Sequence, residues 1–123
     1  MNGSREDRIA ATKIRMAELA AKFIERSGRE IEAMRDGLAQ LRAGEAAALG
    51  ELRHLAHRMC GTGATLGFEA LADCAASIEK LADSCPPGSL PDAAKLAQLE
   101  AGTDALRAEL ALLTAANKAP PVA

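Results

Sequence analysis

His54 and His57, the only two histidines of the chain, and Cys60 stand together in Leu52-Arg53-His54-Leu55-Ala56-His57-Arg58-Met59-Cys60-Gly61-Thr62-Gly63-Ala64-Thr65-Leu66-Gly67. On a helix turning about 100° per residue, with Leu52 as origin, Leu49, Leu52, Leu55, Ala56 and Met59 form one apolar stripe. His57 falls at about 140°, on the flank of that stripe, whereas His54 and Arg58, at about 200° and 240°, point to water. The helical neighbours of His57 are Gly50, Arg53, Cys60, Gly61 and Ala64, all small except Arg53. Gly61 inside a helix costs about 1 kcal/mol relative to Ala, and Gly63 adds a similar penalty. Two explanations stay open: another surface approaches His57 closely, or the glycines end the helix.

An exposed imidazole in a cleared helix face is suited to accepting a phosphoryl group. The ordinary imidazole pKa of about 6.5 leaves the ring mostly neutral at pH 7, so a ring nitrogen can attack phosphorus without a separate base. The sequence holds no P-loop, no kinase-type glycine-rich loop after a strand, and no acidic cluster in this helix to hold Mg²⁺. The phosphate must therefore come from a partner. A metal or haem site is disfavoured because His54, His57 and Cys60 point over about 240° of helix and the chain has no further histidine. A nucleophilic Cys60 lacks a third orienting residue and an oxyanion site.

The elements that must position these residues are helices. Ala and Leu dominate, Val and Thr are scarce, and the breaks are few: Gly44, Gly67 and Cys85-Pro86-Pro87-Gly88-Ser89. Residues 5 to 42 carry Ile9, Met16, Leu19, Phe23, Ile31, Met34, Leu38 and Leu41 at mostly three- and four-residue spacings. Ser27-Gly28-Arg29-Glu30 resembles a capping box, but a kinked helix over 17 to 42 after a short leading helix accounts better for the same residues. Further helices are expected at 46–65 and 68–84, the latter facing inward through Leu71, Cys74 or Ala75, Ile78 and Leu81. The last helix, capped by Ser89-Leu90-Pro91-Asp92, has a seam of Leu96, Leu99, Thr103, Leu106, Leu110 and Leu113. The expected fold class is all-α: an antiparallel up-down four-helix bundle with an additional short N-terminal helix. It forms a single domain over 1–117, with 118–123 as a flexible tail.

Composition narrows the function. With 123 residues the chain can bury roughly two thirds of its unfolded surface in one core. Two Phe, no Trp and no Tyr leave no platform for stacking bases, and a net charge of −2 gives no field for a nucleic acid. No apolar run approaches the length of a membrane span, and the polar start Met1-Asn2-Gly3-Ser4-Arg5-Glu6-Asp7 has no signal-peptide character. Three cysteines, Cys60, Cys74 and Cys85, without C-x-x-C spacing, fit reduced thiols and a cytoplasmic protein.

The run Leu55-Ala56-His57-Arg58-Met59-Cys60-Gly61-Thr62-Gly63-Ala64-Thr65-Leu66-Gly67 resembles the phosphoacceptor signature of histidine-containing phosphotransfer (HPt) domains of bacterial two-component phosphorelays. In that family the acceptor His is followed by x-Leu-Lys-Gly, a few small residues and Leu-Gly. The likeness extends to Leu71, Cys74 and Ile78-Glu79 and to Phe23 through Leu41, with only the His-centred part specific. It implies a four-helix bundle that shuttles phosphoryl groups between receiver-domain aspartates and has no catalytic activity of its own. No cofactor is implied on this chain, because the receiver supplies Mg²⁺ and the acidic pocket. The partners implied are the receiver domains of a hybrid histidine kinase and of a downstream regulator, met by a monomer that binds neither nucleic acid nor membrane. Carried over, His57 is the acceptor and Gly61 the small residue beside it.

Cys60 stands where the family has Lys. Arg53, one turn before His57 on the same flank, is the nearest replacement cation, so Arg53, Cys60, Gly61 and Ala64 are the expected surroundings of the phosphate. Gly50, Arg58 and Phe68 are expected to meet the partner, with Arg58 facing its acidic groups. A merely solvated face is the other account of Arg53 and Arg58. The alternative function is a scaffold or inhibitor module that binds a receiver or kinase without carrying phosphate.

Overall fold

Ser4 starts the first helix with a capping box: Asp7 N–H donates to Ser4 Oγ (3.2 Å) and Ser4 N–H donates to Asp7 Oδ2 (3.1 Å). The structure, a computed structural model, describes residues 4–118, and the helices are α1 (Arg5–Arg42), α2 (Ala48–Thr65), α3 (Glu69–Asp83) and α4 (Ala93–Lys118). There is no strand among the described residues. The tail expected at 118–123 lies, beyond Lys118, outside them.

The helices stop where the glycines allow. Gly44 (φ 96°) follows α1, with Glu45 N–H donating to Gln40 O (2.9 Å) and Gly44 N–H to Leu41 O (3.0 Å). Gly67 (φ 83°) follows α2 in the same way, with Phe68 N–H on Gly63 O (2.8 Å) and Gly67 N–H on Ala64 O (3.1 Å). Both are Schellman endings, which need a residue free to take positive φ. Asp92 caps α4, its Oδ1 accepting from Lys95 N–H (2.8 Å).

Each helix packs on two neighbours, α1 on α2 and α4, and α3 on α2 and α4, with no diagonal contact among the described residues. Cross-helix pairs run in opposite order along each pair of neighbours. Arg58 meets Glu30 while a Cβ on Gly63 would meet Phe23, and His57 meets Glu79 while Arg53 meets Asp83. The result is an antiparallel four-helix bundle. Its centre is Ile31, Met34, Leu52, Met59, Leu71, Ile78, Leu99 and Leu106, each almost wholly buried and each contributing about 1.5–3 kcal/mol of burial energy. The seam of α4 is buried from Leu99 through Leu110, and Leu96 and Leu113 at its two ends are half-buried.

The beginning of the chain differs from the expectation. There is no separate short helix: α1 continues unbroken from Arg5 to Arg42. Ser27 caps nothing and lies buried within it, its hydroxyl without a partner. Gly28 lies in the same unbroken stretch, and a Cβ there would make an ordinary contact with Leu110 Cδ2, at 3.9 Å. Ile9, Met16 and Leu19 are exposed (45%, 44% and 52%). The first buried residue of α1 is Phe23, stacked on Phe68 at the α2–α3 turn with ring centroids 5.9 Å apart. The apolar spacing thus continues past the end of the bundle, where no described neighbour covers it. In α3, Ala75 takes the inward position and Cys74 is half-buried beside it.

Candidate functional site

Between α1 and α3, α2 buries Leu52, Leu55, Ala56 and Met59 and turns its other face outward. His57 is carried on that face with its side chain 67% exposed, and its Nδ1 lies 2.6 Å from Glu79 Oε2 on α3. A carboxylate only accepts, so Nδ1 carries the proton in this pair and, in the neutral ring, Nε2 carries the lone pair. The same contact fixes the plane of the ring. His54 is exposed and has no polar partner among the described residues.

The two glycines after His57 serve different ends. Gly61 is exposed, and a Cβ there would meet nothing within 4 Å. The helix continues past it to Thr65, so it does not end the helix. Gly63 is buried, and a Cβ there would lie 3.2 Å from Leu71 Cδ2 and 3.6 Å from both Ala72 Cβ and Phe23 Cζ. Packing crowds Gly63, so that Leu71 would have to give way even to a Cβ, whereas nothing in the packing requires Gly61.

Beside the imidazole lies an open groove of about 420 Å³ lined by Arg26, His57, Arg58, Gly61, Thr62 and Thr65. Two arginines therefore line it, one from α1 and one from α2. Both reach the same carboxylate: Arg26 Nε is 2.9 Å and Arg58 Nη2 3.6 Å from Glu30 Oε1. The Arg26 contact is an ion pair without hydrogen-bond alignment, and Glu30 Oε2 is buried with no partner. Arg26 also stacks over Phe23, 5.7 Å from its centroid.

The expected site residues divide. His57, Arg58 and Gly61 share the groove. Arg53 and Gly50 line a different hollow with Ala46 and Pro87, and Arg53 Nε lies 3.5 Å from Asp83 Oδ1. Cys60 is half-buried against the core, Ala64 is exposed, and Phe68 is half-buried on Phe23. Arg26, Glu30, Thr62, Thr65 and Glu79 were absent from the expected set. Thr62 and Thr65 lie in the run from Leu55 to Gly67 and Glu30 in Ser27-Gly28-Arg29-Glu30, without being singled out as site residues, and Glu79 had a signal as part of Ile78-Glu79. Which way it faced depended on how α3 docks.

All three thiols are free. Burial, then the nearby carboxylates of Glu109 and Asp73, push the Cys74 thiol up, which keeps it protonated and unreactive. Among the described residues no three His, Cys, Asp or Glu side chains are grouped to hold a metal ion, and no helix is long and apolar enough to cross a membrane.

Compared with known families, residues 18–116 match the model of the Hpt domain. No curated protein and no solved structure matches the chain. The matched span contains every residue that lines the groove beside His57, together with Glu30 and Glu79, and it leaves out the first turns of α1.

Proposed function

The chain belongs to the Hpt domain family, whose members carry out histidine phosphotransfer in phosphorelays, and from that premise we propose that His57 accepts a phosphoryl group from a receiver-domain aspartate and passes it to a second receiver. The observation that carries this reading is the His57–Glu79 pair beneath an exposed ring. Glu79 holds the proton on Nδ1, and the Nε2 lone pair attacks phosphorus in line with the aspartyl oxygen. The Nε2–P bond forms as the P–O bond to the aspartate breaks, and the aspartate leaves as a carboxylate. The ring becomes cationic, and the Glu79 carboxylate against Nδ1–H offsets that charge. Transfer to the next aspartate runs the same steps in reverse.

On this reading the chain is a phosphocarrier without catalysis of its own, and Mg²⁺ sits on the receiver rather than here. It acts as a cytoplasmic monomer between a hybrid kinase and a downstream regulator. Gly61 and Ala64 keep the ring accessible, while Gly50, Arg58 and the edge of Phe68 border the surface a receiver would cover. The test is transfer from a phosphorylated receiver to this chain. His57→Gln is expected to abolish labelling with unchanged helicity, because the residue is exposed, and His54→Gln to leave labelling intact. Labelling that survives His57→Gln would overturn the assignment. A wild-type chain that binds receivers but takes no phosphate would be a scaffold.

A further inference from the structure

We propose that the phosphoryl group on His57 is held by Arg26 and Arg58, a guanidinium pair from α1 and α2 anchored on Glu30, in place of the cation that Cys60 does not supply. The proposal rests on His57 being the phosphoacceptor.

Three observations converge on it. The groove beside His57 is lined by both arginines and by the small or hydroxyl-bearing Gly61, Thr62 and Thr65, so a phosphoryl group entering it from the ring would lie beside two guanidinium-bearing side chains. Because Glu79 occupies Nδ1 from the α3 side, Nε2 is the nitrogen left for phosphorus. The guanidinium groups are also incompletely engaged. Arg58 reaches Glu30 only at 3.6 Å, the Arg26 contact is poorly aligned, and one oxygen of Glu30 has no partner. Such a cluster has donors to spare for an arriving anion.

The charges agree. Two arginines against one carboxylate leave a single net positive charge at the groove, the same as the lysine that the family carries three residues after its acceptor. Glu30 is almost buried, at 10% side-chain exposure, while Arg26 and Arg58 are 39% and 46% exposed. The carboxylate therefore lies beneath the arginines, and they stand between it and the groove. Arg53, the cation nearest to His57 by helical register, does not line this groove but a separate hollow, where its Nε lies 3.5 Å from Asp83 Oδ1.

The test reads the phosphoryl group directly. The purified full chain is phosphorylated with phosphoramidate, and the last ionisation of the phosphoryl group is followed by ³¹P NMR as pH is varied at low salt. Neighbouring guanidinium groups favour the dianion and lower the midpoint. Glu30 on the α1 side and Glu79 on the α3 side raise it. Arg26→Gln/Arg58→Gln is expected to raise the midpoint by about half a unit to one unit, and salt at 1 M to bring the wild type toward the double variant. Arg26→Lys/Arg58→Lys, which keeps the charges, should titrate close to wild type, and Glu30→Gln should lower the midpoint.

If the double variant loses helicity, adding Glu30→Gln removes the unpaired carboxylate, and the triple variant must still titrate above wild type. A double variant that titrates as wild type, or an Arg53→Gln shift larger than that of the double variant, overturns the clamp. Neither result touches the relay, which fails separately if phosphoramidate labels His57 but no receiver exchanges phosphate with it. A wild-type His57 that phosphoramidate cannot label overturns both.

Discussion

The two faces of α2 are built from the same residue types under opposite rules. On the inner face Gly63 sits with Leu71, Ala72 and Phe23 within van der Waals reach of an added Cβ, and Met59 is wholly buried. On the outer face, half a turn away, Gly61 borders open space beside an imidazole that is two-thirds exposed. One glycine stands where even a Cβ would crowd its neighbours. The other is there although a side chain would fit and would improve helix propensity. A residue that gives up stability where packing asks nothing of it points to function, and on the proposed reading that function is access to His57.

The comparison breaks most visibly at Gly63. Gly63→Leu drives a branched side chain into Leu71 and Ala72 and is expected to destabilise the fold by about 3 kcal/mol, near the upper end for overpacking a tight core. Denaturant unfolding reads this directly. Phosphotransfer per folded molecule should be unchanged, so a slower rate in the folded fraction would mean that Gly63 also serves the site.

At Gly61 stability and activity should part in the opposite direction. Gly61→Gln should raise stability by about 0.5 kcal/mol through helix propensity. A side chain one turn beyond His57 screens Nε2 from an incoming receiver, and transfer is expected to fall about tenfold, or about 1.4 kcal/mol in the barrier. Unchanged transfer at raised stability would make Gly61 incidental and remove the contrast between the two faces.

The outer face also depends on Glu79, which the inner face does not use. Glu79→Gln keeps a hydrogen-bond acceptor for Nδ1–H but removes the charge that offsets the cationic ring, and it is expected to slow transfer about three- to fivefold, or about 0.7–1 kcal/mol. Thermal unfolding should change little, since the pair is exposed on the histidine side. An effect on stability with none on rate would make the pair a structural tie between α2 and α3.

How much of this was legible in the sequence differs between the faces as well. The inner stripe of α2, the seam of α4 and the stops at Gly44 and Gly67 were readable because each follows from local spacing or from a φ that only glycine takes easily. The extent of α1 was not. Ser27-Gly28-Arg29-Glu30 has the residue types of a cap, but Ser27 faces the core and Glu30 takes two arginines, and those partners come from tertiary packing. Ile9, Met16 and Leu19 keep the core spacing although the neighbouring helices do not reach them. Periodicity gives the direction of a face, not where its partner ends. On the outer face His57 and Gly61 could be picked out within one helix, whereas Arg26, Glu30 and Glu79 enter from α1 and α3 at positions that no spacing within α2 encodes.

The smallest effect is expected where the family pattern itself is broken. Cys60 is half-buried on the α3 side of His57, so Cys60→Lys can lay its stem along the core edge and bring its ammonium out near the ring. It would also meet Glu79, and part of its charge would be spent there. If Arg26 and Arg58 already hold the phosphoryl group from the α1 side, one more exposed cation adds only about 0.3–0.5 kcal/mol, roughly a twofold rise in the phosphorylated fraction at equilibrium with a receiver, and salt should erase it. In the Arg26→Gln/Arg58→Gln background the same substitution should matter more, because the two arginines then no longer supply charge to the phosphate. That dependence on background is the signature of two solutions to one electrostatic need, and the double-mutant cycle measures it. A gain from Cys60→Lys that is equally large in both backgrounds would mean that the arginines never held the phosphate, and that the outer face of α2 works with the charge on Glu79 alone.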